Sequence, residues 1–283
     1  MDKKTLRRLL IGEFSVKRLL RSLLFIYGFL LCYAFFFADR MLFQPPPASY
    51  RETREIIKLT SKDGVQIAAA YLPNQNARYT ILYSHGNAED IGEILPLLRE
   101  IRDLGFAVFT YDYHGYGTSG GVASELTAYQ DVDAAYDYLT LKLGTPPQQI
   151  IAYGRSVGGG PAINLAVSKP IAGLIVESSF ITAFRVLTRI PIFPFDKFQN
   201  IDKIQRVRCP VLVMHGKADE IIPFWHGQAL FQATQAPKRF LWIDQAGHND
   251  LGEVAGDRYS QALQQFALLL QQTESAAQKP LTE

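Results

Sequence analysis

Cysteine is scarce in this chain: Cys32 and Cys209 are the only two in 283 residues. One falls in an apolar run and the other just before Pro210 at an expected strand start, which indicates neither a disulfide nor a metal site. A strong charge bias is also missing, the formal net charge being +2. Lys3, Lys4, Arg7, Arg8, Lys17, Arg18 and Arg21 all precede the first long apolar run, and the remainder is slightly acidic. A nucleic-acid partner would therefore find no basic patch. There is no internal repeat. A hydrophobic share of 48% is enough to bury the core of one large domain.

Ser22 to Ala38 reads SLLFIYGFLLCYAFFFA, with no charge in it. As a helix it would be about 25 Å long, slightly short of a hydrocarbon core. Leu19 and Leu20 extend it if Arg21 snorkels, and Met41-Leu42-Phe43 can sit at the far boundary. A cleaved signal peptide is the rival. The run is longer than an ordinary signal core, and phenylalanines crowd the positions before Ala38 where small residues would be needed. The expectation is an uncleaved anchor over 22–43, after a basic segment 1–21 whose Leu6, Leu9, Leu10 and Phe14 could lie on an anionic leaflet. The denser cations before the span predict a cytoplasmic N-terminus with the following domain across the membrane, although Arg40, Arg51 and Arg54 oppose that assignment.

Gln44-Pro45-Pro46-Pro47 reads as a stiff spacer within a linker 44–54. Glu55–Thr60 and Val65–Leu72, joined by Ser61-Lys62-Asp63-Gly64, predict an antiparallel hairpin. From Tyr79 strands and helices alternate: Thr80–Tyr83, Ile91–Leu104, Phe106–Tyr111, Glu125–Leu141, Gln149–Tyr153, Pro161–Val167, Ile171–Val176, Val211–Met214 and Phe240–Ile243. Such alternation predicts an α/β domain over 55–272, with a mostly parallel sheet and helices on both faces. Arg258–Gln272 closes it, and 273–283 reads as a loose polar tail.

Within that pattern Gly154-Arg155-Ser156-Val157-Gly158 lies between a strand and a helix. Glycines two residues either side of a serine permit the sharp strand-to-helix turn of a nucleophile elbow, with the helix amides facing any charge that develops beside the hydroxyl. An incidental glycine-rich turn is the bland alternative. An activated serine needs a base and an orienting acid, in this fold in the order Ser, acid, His. Asp219 follows the strand Val211–Met214, and His248 follows the last strand. Glu177 competes as the acid, while Asp244 and Asp250 are close to His248 in sequence. Of the five histidines only His248 has both the order and the context: His85 and His215 each end a strand just before a glycine, His114 lies in a glycine-rich loop and His226 in an expected helix. Two oxyanion donors are expected, the amide of Val157 and one from Ser84-His85-Gly86-Asn87-Ala88, with Asn87 preferred over Ala88. His85 and Asp90 also fit a His-x-x-x-x-Asp acyl-transfer spacing, a two-residue pattern better explained by the oxyanion turn. No cofactor and no metal is required by this chemistry.

Taken together, Ser84–Ala88, Tyr111-Asp112-Tyr113-His114-Gly115-Tyr116-Gly117-Thr118-Ser119-Gly120, Gly154–Gly159 and Gly247-His248-Asn249-Asp250 resemble the branch of the α/β-hydrolases that contains α/β-hydrolase domain-containing proteins 13 and 17. The resemblance runs roughly from Ile56 to Gln271 and implies an α/β-hydrolase fold with a serine esterase or thioesterase activity. Domain-17 members remove palmitate from protein cysteines, and the domain-13 branch carries an N-terminal anchor. Two departures stand out: His114 where the branch has Arg, and Glu89-Asp90 in place of a more neutral pair. The N-terminal cysteine cluster of domain-17 proteins is missing, which weakens a protein-depalmitoylase reading.

The segment 178–208 stands where this fold inserts a cap, here a short one. Its aromatics can pack on the sheet or wall an acyl site, and Phe180, Phe184 and Tyr116 are the candidate substrate contacts. The expected activity is a membrane-anchored serine hydrolase acting on acyl esters or thioesters, lipids among them. An aminopeptidase-like amide hydrolase and a membrane-tethered binding module are the alternatives. The sequence assigns no oligomeric state.

Overall fold

The computed structural model describes residues 15–277, and the chain divides into two compact units after Met41. The first is dominated by α1 (Val16–Leu42), a 27-residue helix. By length and composition it can cross a membrane, and it is the one such helix among the described residues. At 1.5 Å per residue it reaches about 40 Å, longer than the apolar run alone because Val16–Arg21 continue its first turns. Most of the amphipathic basic segment expected before it lies outside the described residues.

The second unit carries an eight-stranded sheet in the order β1-β2-β4-β3-β5-β6-β7-β8. The strands are β1 (Ile56–Thr60), β2 (Gln66–Leu72), β3 (Thr80–Ser84), β4 (Ala107–Tyr111), β5 (Ile150–Arg155), β6 (Gly173–Glu177), β7 (Val211–Gly216) and β8 (Lys238–Ile243). β1 and β2 form the antiparallel hairpin, β2 joins β4 antiparallel, and every pairing from β4 through β3 to β8 is parallel. The mostly parallel sheet with an N-terminal hairpin is thus as the sequence predicts.

Period-two alternation sorts the central strands between two cores. Leu82, Ile150, Ala152, Leu174, Val176, Val211 and Val213 face one cluster, shared with α3 (Glu125–Asp137) and α4 (Gly159–Ser168). Ile81, Tyr83, Ile151, Tyr153, Ile175, Leu212 and Met214 face the other, covered by α2 (Ile91–Asp103) and α8 (Asp257–Ala277). Three shorter helices complete the unit: α5 (Asn200–Ile204), α6 (Trp225–Ala233) and α7 (Leu251–Ala255). With both faces covered, the strands read as continuous apolar runs.

Three expectations change. The helix expected over Glu125–Leu141 ends at Asp137 and continues as a π-turn, Tyr138–Lys142. The polar stretch from Thr273 is drawn into α8 as far as Ala277, where Glu274 accepts from Arg78 (2.6 Å) and Tyr79 (3.2 Å). The rest of that tail lies outside the described residues. The third change is the spacer. Phe43 is buried, the Gln44 amide donates to Asn87 Oδ1 at 2.9 Å, and the Ser49 amide donates to Asp90 Oδ2 at 2.6 Å. Prolines stiffen this segment as expected, and its polar groups in addition meet partners on the domain, so the spacer is a bound strap.

The sheet presents the carboxyl ends of β3, β5, β7 and β8 together, with Ser84 opposite Gly154 in the register. A Cβ at Gly158 would overlap the Ser84 carbonyl oxygen and lie 2.6 Å from that of His85. Gly158→Ala is therefore expected to lower the thermal unfolding midpoint by roughly 5–10 °C, as overpacking against backbone does. A wild-type melting curve for that variant would show the approach of β3 to the elbow to be looser than described.

Candidate active site

Ser156 follows β5 directly and adopts φ +54°, a left-handed conformation that a non-glycine residue holds only at a cost. A Cβ at Gly154 would strike the Gly158 carbonyl group and come 2.6 Å from the Gly159 Cα. The two flanking glycines are thus needed because backbone crosses backbone there, and the turn they permit lifts the serine out of the sheet. Ser179 Oγ donates to the Ser156 carbonyl at 2.8 Å and fastens the turn from the β6 side.

Asp219 and His248 come from the loops after β7 and β8. His248 Nε2 lies 3.0 Å from Ser156 Oγ, and His248 Nδ1 lies 2.8 Å from Asp219 Oδ2. With the Nδ1 proton directed at the carboxylate, Nε2 is left free to accept from the serine hydroxyl. Asp219 Oδ1 accepts the amides of Ile221 (3.0 Å) and Ile222 (2.7 Å), so the carboxylate is fixed on both oxygens. Burial alone would push its pKa up. The bonds from His215, His248 and the Ile222 amide outweigh burial and hold the carboxyl well below the usual range.

The competing groups sit elsewhere. Glu177 accepts from the Tyr153 hydroxyl and, at 3.3 Å, from Tyr259. Asp244 pairs with Lys217 at the surface, and Asp250 Oδ1 accepts the Gly247 amide at 2.7 Å. His226 is buried, its Nδ1 accepts the Ile181 amide at 3.2 Å, and burial pushes its pKa down to about 4. His85 is buried with Nδ1 on the Gly86 carbonyl (2.8 Å), while Asp90 caps α2 through the Glu93 amide (3.1 Å). That pair accordingly serves the turn and the helix start.

In the turn after β3, Tyr116 changes role. Its ring is fully buried, and its hydroxyl donates to Asn87 Oδ1 at 2.6 Å. Enclosed in this way, Tyr116 supports the turn and forms no open substrate wall. Phe180 belongs to the core, its ring 6.1 Å from Phe198. Phe184 is half-buried in the cap beside Phe193 (5.8 Å) and Phe195 (6.0 Å).

A family model for serine aminopeptidases, S33, matches residues 75–193. α/β-Hydrolase domain-containing protein 17B of Xenopus tropicalis is 39% identical over 225 residues, covering 76% of each chain. The human 17B protein is 40% identical over 216 residues, covering 73% of this chain and 72% of that one. The chain belongs to this α/β-hydrolase family. Among solved structures, an esterase of Pyrococcus furiosus superposes with a TM-score of 0.69 at 16% identity, covering 81% of this chain and 98% of that one. A serine hydrolase homologue from Coxiella burnetii gives 0.60 at 17%, covering 75% and 97%. At such identities these two speak for the fold alone.

Within this hydrolase both departures from the family pattern find physical partners. His114 is buried between Asp131 (2.7 Å from Nδ1) and Asp63 (3.1 Å from Nε2). Burial opposes its protonation, but the bond and charge of Asp131, with Asp63, outweigh burial and raise its pKa. Glu89 pairs with Arg155, the residue before the serine, and also accepts the Gly86 amide at 2.8 Å. Arg155 Nη2 reaches Asn249 Oδ1 at 2.7 Å and the His248 carbonyl at 3.3 Å. One guanidinium thereby joins the turn after β3, the elbow and the loop that carries His248. His215 is the other group missed from sequence: its Nε2 lies 3.3 Å from Asp219 Oδ2. Among the described residues, no group of three or more His, Cys, Asp or Glu side chains could hold a metal ion.

Because Asp219 loses its proton more readily in the native chain than in the unfolded one, it stabilises the fold above about pH 4, the ordinary carboxylate range. That contribution is lost as pH falls below this range toward the lower native pKa. Asp219→Asn is expected to be less stable than wild type at neutral pH and to show a shallower acid limb in urea titrations between pH 7 and 2. Parallel acid limbs for the two proteins would contradict the ionised, bonded state of Asp219.

Proposed function

We propose that this protein is a membrane-anchored serine hydrolase that cleaves carboxylic esters or thioesters through an acyl-enzyme. The observation that carries the reading is the continuous relay from Ser156 Oγ through His248 to Asp219, at 3.0 and 2.8 Å. Ser156 attacks the acyl carbon as His248 Nε2 takes its proton. Asp219, already ionised and fixed on both oxygens, orients the imidazole and stabilises the imidazolium that forms. The amides of Val157 and Asn87 hold the oxyanion of the tetrahedral intermediate. His248 then protonates the leaving oxygen or sulfur, and water repeats the sequence to release the acid.

The cap supplies an apolar surface for the acyl chain. Leu187, Ile190 and Ile192 are exposed along it, next to half-buried Phe184, Phe193 and Phe195. α1 provides the tether, with the basic side of the chain, and so the N-terminus, in the cytoplasm and the hydrolase domain across the membrane.

The test is labelling of the full chain by a fluorophosphonate probe, with hydrolysis of p-nitrophenyl esters from acetate to palmitate, a palmitoyl thioester and a matched aminoacyl amide. Wild type is expected to label and to favour the ester and thioester substrates. Ser156→Ala is expected to lose labelling and at least about a thousandfold in kcat, as removal of a triad nucleophile does. Full labelling of Ser156→Ala would refute the nucleophile, and preference for the amide would move the chain to aminopeptidase chemistry.

A further inference from the structure

The oxyanion turn is not self-supporting. Ala88, a non-glycine residue, adopts φ +55° inside it. Asn87 itself is half-exposed, yet its side chain is turned inward and its Oδ1 accepts two bonds, from the Tyr116 hydroxyl (2.6 Å) and the Gln44 amide (2.9 Å). The Gln44 amide also reaches the Tyr116 oxygen at 3.0 Å. The Tyr116 hydroxyl thus gives its one proton to Asn87 and accepts from the strap.

The strap that brings Gln44 there is bound along its length. The Phe43 ring packs 6.0 Å from Tyr113, 6.3 Å from Tyr116 and 6.0 Å from Phe198. Ser49 binds Asp90, the N-cap of α2, and Tyr50 donates to Asp112 Oδ2 at 2.5 Å while accepting the Thr118 amide at 3.2 Å. Gly117, at φ +50°, leaves the room that the Tyr50 hydroxyl occupies: a Cβ there would lie 2.6 Å from it. A passive spacer would not need contacts with the turn, the helix cap and the Asp112–Thr118 loop at once.

We propose that the strap Phe43–Tyr50 and Tyr116 are positioning elements that lock Asn87 so that its backbone amide faces the oxyanion. The proposal rests on the serine-hydrolase reading above. Tyr116 and Gln44 act through Asn87 and do not touch the acyl group. Losing them loosens a donor that matters only once charge develops on the substrate oxygen. The effect falls on kcat and on oxyanion-like inhibitors, and KM stays nearly constant.

The full chain in detergent separates these possibilities. Tyr116→Phe keeps the ring and removes the hydroxyl. Gln44→Pro removes the amide proton at the head of an existing proline run and keeps the Tyr116 hydroxyl, so it tests the same lock should Tyr116→Phe fail to fold. Each is compared with wild type for p-nitrophenyl ester hydrolysis and for inhibition by an alkyl trifluoromethyl ketone, whose adduct with serine carries an oxyanion. We expect Tyr116→Phe to lower kcat about tenfold with KM within about twofold, and to weaken the ketone by the same factor as kcat. Gln44→Pro should shift both in the same proportion, and the double variant should add less than the product of the single effects, because both donors share one acceptor. Wild-type kcat and ketone affinity in either folded variant would overturn the proposal. So would a rise in KM alone, which would make Tyr116 a substrate contact. Ester hydrolysis that persists in Ser156→Ala would overturn the hydrolase reading and this one with it.

Discussion

Backbone crossing backbone at the elbow is the constraint from which the rest of the site follows. Gly154, at the end of β5, has no space for a side chain because the Gly158 carbonyl stands against it, and Gly158 has none because β3 ends against it. Between them Ser156 is forced to φ +54°. An isolated turn would relax from that conformation, whose cost is of order 1–3 kcal/mol. Here β5 is paired on both sides, by β3 and β6, and Ser179 ties down the Ser156 carbonyl. The sheet therefore holds a strained residue in place, and the strain is what raises the hydroxyl above the strand ends.

Arg155 extends that constraint to the loops. It is the last residue of β5, 8% exposed, and its partners come from separate parts of the chain: Glu89, Glu177, and the His248–Asn249 loop. Burial disfavours a charged guanidinium, but the surrounding acidic and phenolic groups outweigh it and raise the Arg155 pKa further. Buried ion pairs contribute little net stability against a well-packed apolar alternative. The value of this one is geometric. Fixed by the strand at one end, the guanidinium sets the separation of the turn after β3 from the loop that carries His248.

These two constraints explain what could be read from the sequence. The strands were legible because both faces of a parallel sheet are buried, leaving apolar runs with glycine and proline between them. Ser156, Asp219 and His248 were legible because the fold fixes their order and each follows a strand, and the structure brings all three into hydrogen-bonding sequence. Partners far apart in the chain were not legible. Nothing near Glu89 announces Arg155, 66 positions on, although their opposite charges were both visible as residues. Pro45–Pro47 suggested a stiff spacer because proline fixes local conformation and says nothing of what the neighbouring amides meet. Tyr116 looked available as an aromatic in a glycine-rich loop, whereas its full burial depends on Phe43, 73 positions earlier by the numbering, and on Tyr113 and His85.

The same reasoning bears on the segment ahead of β1. In a sheet whose first strand is Ile56, the residues from Phe43 to Tyr50 contribute no strand, yet they supply partners to Asn87, Asp90 and Asp112. Asp112 receives both the Tyr50 hydroxyl and, at 2.9 Å, the Ile91 amide, so the strap and the start of α2 converge on one carboxylate. A buried carboxylate with two donors is costly to leave half-satisfied. Displacing the strap would expose that cost at Asp112 and remove one of the two donors on Asn87 together. The polypeptide immediately after the apolar helix is thus part of the domain's polar core, and its order and the order of the turn after β3 are one property.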